Sequence, residues 1–336
     1  MNAWLRSAWH PCTRVGFAVA AAFVVAVAVA FALAGCTRQP EPPLRIGTNV
    51  WIGSEPLYLA RELGQLNPKA VQLVEYPSAS EVLRAFRNQA IDGMVISLDE
   101  LFGLAVDGMQ PRIILVVDVS HGADAVVGRS GMKTMKDLQG KRVAVESGAL
   151  GAFMLSRALA LNGMQASDVN VVHMESNEHP SAFEKGLVDG AVTFDPYRAQ
   201  LLRAGGTTLF DSTRIPGEIV DLVAVRASSL DKQPEAVQSL LAGWFKAIDY
   251  LQREPADAAR RMGIRQQTSG EQYLAALRGL HIPSRDENLR MIGGAKPELV
   301  PSGQRLMDLM LEAKLLPFGP KIGEVLAPGP LERLPP

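Results

Sequence analysis

One pattern occurs twice in this chain and constrains its fold more than any other feature. The segment "AIDGMVISLDE" spans residues 90–100, and "LVDGAVTFDPY" spans residues 187–197. Each follows a helix-like segment and consists of Asp-Gly, a short apolar strand and a polar cluster where the strand ends. Asp-Gly favours a tight turn before each strand. Repetition of the whole unit predicts two similar α/β lobes, one for each copy.

Strand-like and helix-like segments alternate around both copies, which predicts βαβ units on mostly parallel sheets. Pro56 and Gly163 stand where helices at 56–66 and 150–163 would begin and end. Beyond residue 227 the pattern is mainly helical, and the segment 234–252 is the clearest helix. The predicted strands are 44–50, 70–76, 92–97, 111–120, 123–129, 141–147, 169–174, 190–194, 207–212 and 219–227.

The polar clusters after the repeated strands indicate a binding site. In open α/β sheets, ligands bind outside the carboxyl ends of the strands. If the two lobes face each other, both clusters lie on opposite walls of one cleft. The alternative is that Asp92 and Asp189 only form turns before the strands. That role leaves the polar residues beyond each strand unexplained.

Composition excludes several classes of protein. The chain has 336 residues, of which 47% are hydrophobic, so it can build the cores of two domains. Its formal net charge of −1 argues against a nucleic-acid binder, which needs a basic patch. The segment "GALG" is not followed by Gly-Lys-Ser/Thr, so it is no nucleotide P-loop, and no cofactor is expected.

The N-terminus resembles a bacterial lipoprotein signal. Arg6 and Arg14 precede a long apolar run that ends in "LAGC", residues 33–36. The resemblance implies a signal peptide at 1–35, cleavage before Cys36, lipid on Cys36 and a tether at 36–43. The alternative is an uncleaved membrane anchor, because about 20 apolar residues can span a bilayer. Both alternatives place the remaining chain outside the cytoplasmic membrane.

The number of cysteines limits which disulfides, metal sites and thiol reactions the mature chain can have. The chain has two cysteines, Cys12 and Cys36, and cleavage of the signal would leave only Cys36. The mature chain could then form no internal disulfide, although the compartment would permit one. Cysteine-based metal sites and thiol catalysis are excluded for the same reason.

Six segments, taken in order, resemble the periplasmic substrate-binding proteins of nitrate/sulfonate/taurine-type ABC importers. Binding proteins for pyrimidine precursors of thiamine share the same pattern. The resemblance covers nearly all of residues 44–330. The segments are "IGTNVWIGSEPLYLARELG", "SEVLRAFRNQAIDGMVISLDE", "SHGADAVVGR", "MKDLQGKRVAVESGALGAFML", "GLVDGAVTFDPY" and "IPGEIVDLVAVRASSLDKQPEAV".

This resemblance implies a type II periplasmic-binding-protein fold with two α/β lobes, a ligand cleft and two hinge crossovers. Lobe one would comprise 44–121 plus 220–336, including the C-terminal helices, and lobe two would comprise 122–219. A monomer in the periplasm or cell envelope, lipid-anchored to the membrane, would close on a small nitrogenous or organosulfur nutrient. An ABC permease with its ATPase would then recognise the closed form.

Three candidate ligand contacts lie in the first lobe. Trp51 follows the first strand, where the family often places an aromatic or polar contact, and it could stack on a planar or cationic ligand. A packed lid residue is the alternative. Ser97 and Asp99 follow the first repeated strand. Ser97 and Glu100 also match a capping box, so helix capping accompanies any ligand contact there.

Three further candidates lie at the crossovers between the lobes. Ser120 and Asp124 belong to the first crossover, and the Asp124 carboxylate could pair with a ligand nitrogen. A hinge hydrogen bond to the backbone is the alternative. Asp221 belongs to the return crossover, where a structural role and a ligand role remain equally open.

The remaining candidates lie in the second lobe. Glu146, Ser147 and Gly148 precede a long helix whose N-terminal N–H groups could meet a ligand oxygen. Asp195 and Tyr197 lie in "FDPY", where family members often show Trp-Glu-Pro, so the pocket size is expected to differ.

The segment "HMESNEH", residues 173–179, has a composition that could bind a metal, but its spacing matches no strong template. We therefore expect surface or rim residues there, and no metal site.

The predicted cleft loops are acidic. They contain many Asp and Glu residues and no Lys or Arg; Arg198 and Arg214 stand near the remaining loops. A sulfonate or nitrate normally pairs with cations, although helix N-termini can partly substitute. We therefore expect a ligand with amine, amidine, aminopyrimidine or urea-like nitrogens, while zwitterions such as taurine remain open.

Two other functions stay open at this stage. A ligand sensor that docks to a receptor would look the same in sequence. An enzyme on the same fold is the second alternative, because fold does not fix function. No paired nucleophile and base stands out in the sequence, which favours a binding protein over an enzyme.

Overall fold

The computed structural model describes residues 42–146, 148 and 150–335, and Pro43–Pro336 form one compact unit. The predicted signal peptide, Cys36 and Ser147 lie outside the described residues, as does the tether up to residue 41.

The described residues form eleven strands, most of them close to the predicted segments. Their bounds are β1 Leu44–Thr48, β2 Val71–Glu75, β3 Gly93–Ser97, β4 Pro111–Ser120, β5 Ala125–Gly128, β6 Arg142–Val145, β7 Asn170–His173, β8 Gly190–Thr193, β9 Thr207–Asp211, β10 Val220–Arg226 and β11 Leu280–His281.

Fourteen α-helices accompany these strands within the described ranges. They are α1 Glu55–Glu62, α2 Ala79–Arg87, α3 Leu98–Val106, α4 Leu150–Leu161, α5 His179–Glu184, α6 Tyr197–Arg203, α7 Ala227–Lys232, α8 Pro234–Arg253, α9 Pro255–Arg265, α10 Gly270–Leu277, α11 Arg285–Ile292, α12 Leu299–Glu312, α13 Ile322–Val325 and α14 Gly329–Glu332. Among them, no helix has both the length and the apolar character needed to cross a membrane.

The strands build two separate sheets. A six-stranded sheet has the order β11-β4-β10-β3-β1-β2, and a five-stranded sheet has the order β7-β6-β8-β5-β9. We call the part built on the first sheet the first lobe and the part built on the second sheet the second lobe. The chain passes between them after β4 and again after β9. The exact lobe boundaries given above stay a prediction.

Both sheets are mixed, which corrects the expectation of mostly parallel sheets. β1 pairs in parallel with β2 and β3, and β6 with β7 and β8. β10 runs antiparallel to β3 and β4, and β5 runs antiparallel to β8 and β9. β5 and β10 are the first strands after each passage between lobes, where no α-helix separates consecutive strands. The strand–helix alternation that marks parallel neighbours is therefore interrupted there.

The repeated Asp-Gly segments have the same structural role in both lobes. Asp92 accepts hydrogen bonds from the backbone N, Nε and Nη2 of Arg45 at 3.0, 2.9 and 2.9 Å. Asp189 accepts the same three bonds from Arg142, each at 3.0 Å. Each carboxylate thus joins the starts of two neighbouring parallel strands, β1 to β3 and β6 to β8. Both aspartates lie at the opposite end of the strand from the polar clusters.

We expect Asp92→Asn to lower the free energy of unfolding by about 1–2 kcal/mol, because a bidentate, charge-assisted contact with a half-exposed Arg45 is lost. Asp189→Asn should cost less, since Arg142 is more exposed. Urea unfolding measures both. Midpoints that equal the parent value for both variants would contradict a stabilising role for these contacts.

The C-terminal helices complete the core of the first lobe. Trp244 on α8 is fully buried, as its amphipathic pattern predicts, and it belongs to the same core as Leu44 and Ile46 of β1. α8 packs against α1 and β2. The second lobe has smaller cores of its own around Val143 and Phe183. Each sheet thus packs against cores of its own lobe, which leaves the carboxyl ends of the strands available for a site between the lobes.

Candidate ligand-binding site

Both repeated strands end at one narrow cavity, which has a volume of about 50 Å³ and opens to solvent. β3 contributes Ser97 from the first lobe, and β8 contributes Thr193 from the second. The described lining residues include four carboxyl groups and no Lys or Arg. They are Asn49, Trp51, Ala79, Val95, Ile96, Ser97, Glu100, Asp124, Glu146, Leu150, Gly151, Ser176, His179, Val192, Thr193, Phe194 and Asp221.

Three neighbouring strands place polar side chains side by side on the first-lobe wall. Asp221 on β10 lies in register with Ser97 on β3 and with Asp118 on β4. The side chains of Asp118 and Asp221 therefore emerge next to each other on one face of the sheet. Burial raises the pKa of Asp118 to about 7. Burial and the neighbouring carboxylates raise the pKa of Asp221 well above its ordinary value.

Trp51 is fixed in place by Asp118 rather than lying free over the cavity. Its Nε1 donates to Asp118 Oδ2 at 3.1 Å. Gly53 permits this approach, because a Cβ there would lie 1.9 Å from Asp118 Oδ2 and 2.4 Å from Trp51 Nε1. Across the cleft, Phe194 meets the Trp51 ring edge to face, with centroids 5.3 Å apart. Trp51 therefore combines a packing role with a place on the cavity wall.

Ser120 and Asp124 have different roles in the first crossover. Ser120 Oγ lies 2.8 Å from Ser212 Oγ, which also accepts from the Gly122 N–H at 2.6 Å. These bonds tie the two crossovers together, and Ser120 Oγ also accepts from the Asp124 N–H at 3.4 Å. Asp124 lines the cavity, and its buried Oδ2 has no hydrogen-bond partner within the described part of the chain. Burial raises the pKa of Asp124 to about 7.

The start of α3 adds two more buried acids. One half of the predicted capping box is present, because the Ser97 N–H donates to Glu100 Oε2 at 2.9 Å, while the buried Ser97 Oγ has no partner within the described residues. Glu100 lines the cavity, while Asp99 packs behind it. Burial raises the pKa of Asp99 to about 6, and burial together with Asp99 raises the pKa of Glu100 to about 8. The capping role of Ser97 thus coexists with a place on the cavity wall.

Glu146 joins the two lobes across the cleft. Its Oε1 accepts from the backbone N–H of Ser80 at 2.7 Å and from Ser80 Oγ at 2.9 Å. Glu146 follows β6 in the second lobe, and Ser80 lies in the first turn of α2 in the first lobe. A carboxylate at a helix N-terminus is favoured by the free N–H groups and by the helix dipole. We call this contact the Glu146–Ser80 latch.

We expect Glu146→Ala to open the cleft of the solute-free protein, because the latch carries two of the hydrogen bonds between the lobes. Small-angle X-ray scattering should show a larger radius of gyration than the parent. Glu184→Ala, at an exposed position of the same lobe, is the matched control. An unchanged scattering curve for Glu146→Ala would show that the latch does not hold the lobes together.

The segment 173–179 is not wholly on the surface, which corrects that expectation. His173 and Glu178 are exposed, but His179 is fully buried at the start of α5 and lines the cavity with Ser176. Burial lowers the pKa of His179 to about 4, opposed by the backbone of Met174 and Val192. Across the described ranges, no group of three or more His, Cys, Asp or Glu side chains is arranged to hold a metal ion.

The remaining candidates lie away from the described cavity wall. Asp195 Oδ1 accepts from the Ala199 N–H at 3.2 Å, and Asp195 faces a separate crevice beside α6 and α10. Tyr197 packs behind Phe194, with ring centroids 5.7 Å apart. Gly148 is exposed, with a φ of 67°. A ligand role for these residues stays a prediction.

Neither arginine that the sequence placed near the cleft lies on the described cavity wall. Arg198 donates to the carbonyl oxygen of Gly122 and faces the separate crevice. Arg214 lies over the ring of Phe210, with its guanidinium carbon 5.6 Å from the ring centroid. The acidic character inferred from the loops therefore holds for the described wall.

Sequence reasoning missed several residues on the cavity wall or directly behind it. Asp118 could have been identified from the sequence, because a lone acid inside the apolar run "IILVVDVS" indicates a buried polar residue. Asn49 follows β1 at the carboxyl end of the sheet, where ligands bind. For the other missed residues, nothing in the neighbouring sequence distinguishes a residue on the cavity wall from an ordinary structural residue. The missed group comprises Asn49, Asp118, Ser176, His179, Thr193 and Phe194.

Comparison with known proteins decides the family. The model of the NMT1-like family matches residues 37–264. The chain belongs to the NMT1-like family. Two curated relatives are predicted aliphatic sulfonates-binding proteins. The relative from Escherichia coli (strain K12) is 29% identical over 211 residues, which cover 58% of this chain and 63% of that protein. The relative from Bacillus subtilis (strain 168) is 29% identical over 267 residues, covering 70% and 75%.

Solved structures confirm the predicted two-lobed fold of this NMT1-like chain. The alkanesulfonate-binding protein from Xanthomonas axonopodis pv. citri, solved with MOPS, superposes with a TM-score of 0.71 at 20% identity, over 85% of this chain and 98% of that one. A desulfurization enzyme, DSZB, superposes with a TM-score of 0.64 at 15% identity, over 86% and 97%. The same fold thus carries both binding and catalysis.

Proposed function

We propose that this chain is an extracytoplasmic solute-binding protein that captures a small nitrogenous solute between its lobes and delivers it to an ABC permease. The names of the relatives and the two-lobed fold support the binding role. The observation that carries the choice of solute is the described cavity wall, with four carboxyl groups and no Lys or Arg. The named solute of the relatives is a sulfonate, so the proposed ligand class differs from theirs.

Charge favours an N–H-rich solute over a sulfonate here. A sulfonate inside this cavity would lie beside Glu100, Asp124 and Asp221, and the described wall offers no Lys or Arg to pair with its negative charge. An amidine, amine or aminopyrimidine can instead donate to the unpartnered Asp124 Oδ2. The aromatic pair of Trp51 and Phe194 supplies apolar and π surface for a planar group.

Attachment to the membrane completes the proposed arrangement. Lipid on Cys36 would hold the protein at the outer surface of the cytoplasmic membrane or at the outer membrane. Residues 37–43 would separate the lipid from the first strand. Such a tether keeps a monomeric binding protein near its permease and ATPase. Binding rather than catalysis is proposed, because the curated relatives carry binding-protein names.

A thermal-shift panel tests the proposed function. The full-length chain in non-ionic detergent is heated with urea, guanidines, amidines, aminopyrimidines, taurine, alkanesulfonates and nitrate. We expect stabilisation by one or more N–H-rich, non-anionic compounds, because a ligand at 100 times its Kd stabilises by about 2.7 kcal/mol. A shift with alkanesulfonates or nitrate alone would reject the nitrogenous solute.

A further inference from the structure

The second-lobe wall of the cavity carries three polar side chains that are buried and unpartnered. Ser176, His179 and Thr193 all line the cavity, and we call them the second-lobe cluster. Their exposed fractions are 1%, 0% and 1%. Ser176 Oγ, Thr193 Oγ1 and both ring nitrogens of His179 have no hydrogen-bond partner within the described part of the chain. One wall thus presents four polar atoms that a solute could bond.

The fold brings this cluster next to an acid. Ser176 lies in the short turn between β7 and α5, His179 begins α5, and Thr193 ends β8, against which α5 packs. Thr193 lies in register with Ala125, the first residue of β5. Asp124 directly precedes Ala125, and its Oδ2 is also buried and unpartnered within the described residues. Asp124 and Thr193 therefore stand at the same edge of the second sheet, where one small solute can reach both.

The groups around the cluster do not satisfy its polar atoms. The backbone of Met174 and Val192 lies near the His179 ring, but neither is in hydrogen-bond geometry with a ring nitrogen. The Glu146 carboxyl lies near Ser176, but its hydrogen bonds go to the latch across the cleft. A buried polar atom that stays unbonded is destabilising. The cluster therefore favours a bound molecule that completes its hydrogen bonds.

The chemistry of the cluster selects an uncharged polar group. A hydroxyl both donates and accepts, and a neutral imidazole donates from one nitrogen and accepts at the other. Burial lowers the pKa of His179 to about 4, so its ring is uncharged at neutral pH. The cluster therefore offers donors and acceptors but no cation for a sulfonate. A hydroxyl, amide or carbonyl group of a solute would match it.

We propose that the second-lobe cluster is a distinct subsite, which binds an uncharged hydrogen-bonding group of the same solute whose N–H groups reach Asp124. This inference rests on the proposed function and narrows its solute class. The solute carries N–H donors at one end and a hydroxyl, amide or carbonyl group a few bonds away. A solute with an apolar group there would displace water without replacing the hydrogen bonds of that water, which lowers affinity.

Two pairs of probes of equal size test the subsite. 2-Hydroxyethylguanidinium has a hydroxyl where propylguanidinium has a methyl group, and 3-hydroxypropylguanidinium differs from butylguanidinium in the same way. Calorimetry of the full-length chain in non-ionic detergent measures the four Kd values. In at least one pair we expect the hydroxyl probe to bind about 10- to 100-fold more tightly, because only that probe bonds the buried polar atoms of the cluster.

Thr193→Val replaces the hydroxyl with a methyl group and keeps the branched shape of the side chain. It should weaken the preferred hydroxyl probe about 5- to 30-fold and leave its alkyl partner within about threefold of the parent. Thr207→Val is the matched control, because it makes the same change at an exposed position of the same lobe. Both probes should bind this control as they bind the parent. Thermal unfolding establishes that both variants are folded.

The outcomes separate the inference from the proposed function. Equal affinity within both pairs, or a hydroxyl preference that persists in Thr193→Val, overturns the subsite and leaves a protein that binds nitrogenous solutes. Binding of none of the four probes overturns the subsite, and binding of an alkanesulfonate in their place overturns the proposed solute class as well. If Thr193→Val does not fold, the ratio of the parent Kd values within each pair decides alone.

Discussion

Asp124→Asn is expected to weaken binding of a cationic solute about 30- to 1,000-fold. The Asp124 carboxylate is buried on the cavity wall and its Oδ2 has no partner within the described residues. A charge-assisted hydrogen bond in such a site is worth about 2–4 kcal/mol, and each 1.4 kcal/mol changes Kd tenfold. Asparagine keeps the shape of the side chain but supplies no charge. Isothermal titration calorimetry measures the loss.

Asp231→Asn is the matched control, because it removes the same charge from an exposed position on α7. Its Kd should equal that of the parent. Thermal unfolding of both variants establishes that they are folded. Equal solute affinity for Asp124→Asn and the parent would show that the carboxylate does not contact the solute, and the ligand would have to be anchored elsewhere on the wall.

The second large effect is a loss of stability as pH rises. Burial raises the pKa of Asp118 from its ordinary 3.8 to about 7, so the folded chain binds more protons than the unfolded chain between these values. Stability therefore falls as pH increases through that window. One such acid contributes on the order of 3 kcal/mol between pH 5 and pH 8. Asp99, Glu100 and Asp124 act in the same direction.

His179 opposes this trend, because burial lowers its pKa to about 4 and stability then rises with pH up to about 6.5. One histidine acts against several acids, so the net change is a loss. We expect the Tm of the solute-free protein to fall by about 5–10 °C between pH 5 and pH 8. The double variant Asp118→Asn/Asp221→Asn should show a flatter profile. A parent Tm that is equal or higher at pH 8 would contradict the burial of ionisable acids in the cleft.

Local sequence patterns predicted strands and helices well where a segment kept a single apolar run or a single helical spacing of apolar residues. The apolar run at 111–120 coincides with β4, and 234–252 matches α8 to one residue, since Pro234 fixes its start. The direction of β5 and β10 could not be read in this way. It depends on how the chain passes between two sheets, and no local pattern records that passage.

The sequence predicted the site residues that lie at strand ends and crossovers. It did not predict those that lie inside a strand or meet only in the folded chain. Ser97 and Asp124 stand at strand ends or crossovers, where topology alone predicts ligand contacts. Asp118 lies inside β4, which is buried on both faces. The sequence of β4 therefore shows no alternation of apolar and polar residues that would indicate which way Asp118 points. His179 is adjacent to exposed acids in sequence but turns inward at the start of α5. The Glu146–Ser80 latch joins residues of different lobes, which only the folded chain brings together.

The most direct test of the account compares solutes that carry opposite charges on the same hydrocarbon group. Calorimetry of the full-length chain in phosphate buffer, free of sulfonate buffers, would use two matched pairs: propylguanidinium with propanesulfonate, and benzamidinium with benzenesulfonate. The acid-lined cavity predicts that a cation of at least one pair binds and that its sulfonate partner does not. Binding of a sulfonate without binding of its cationic partner would contradict the account, and would place this chain with the sulfonate-binding proteins it resembles.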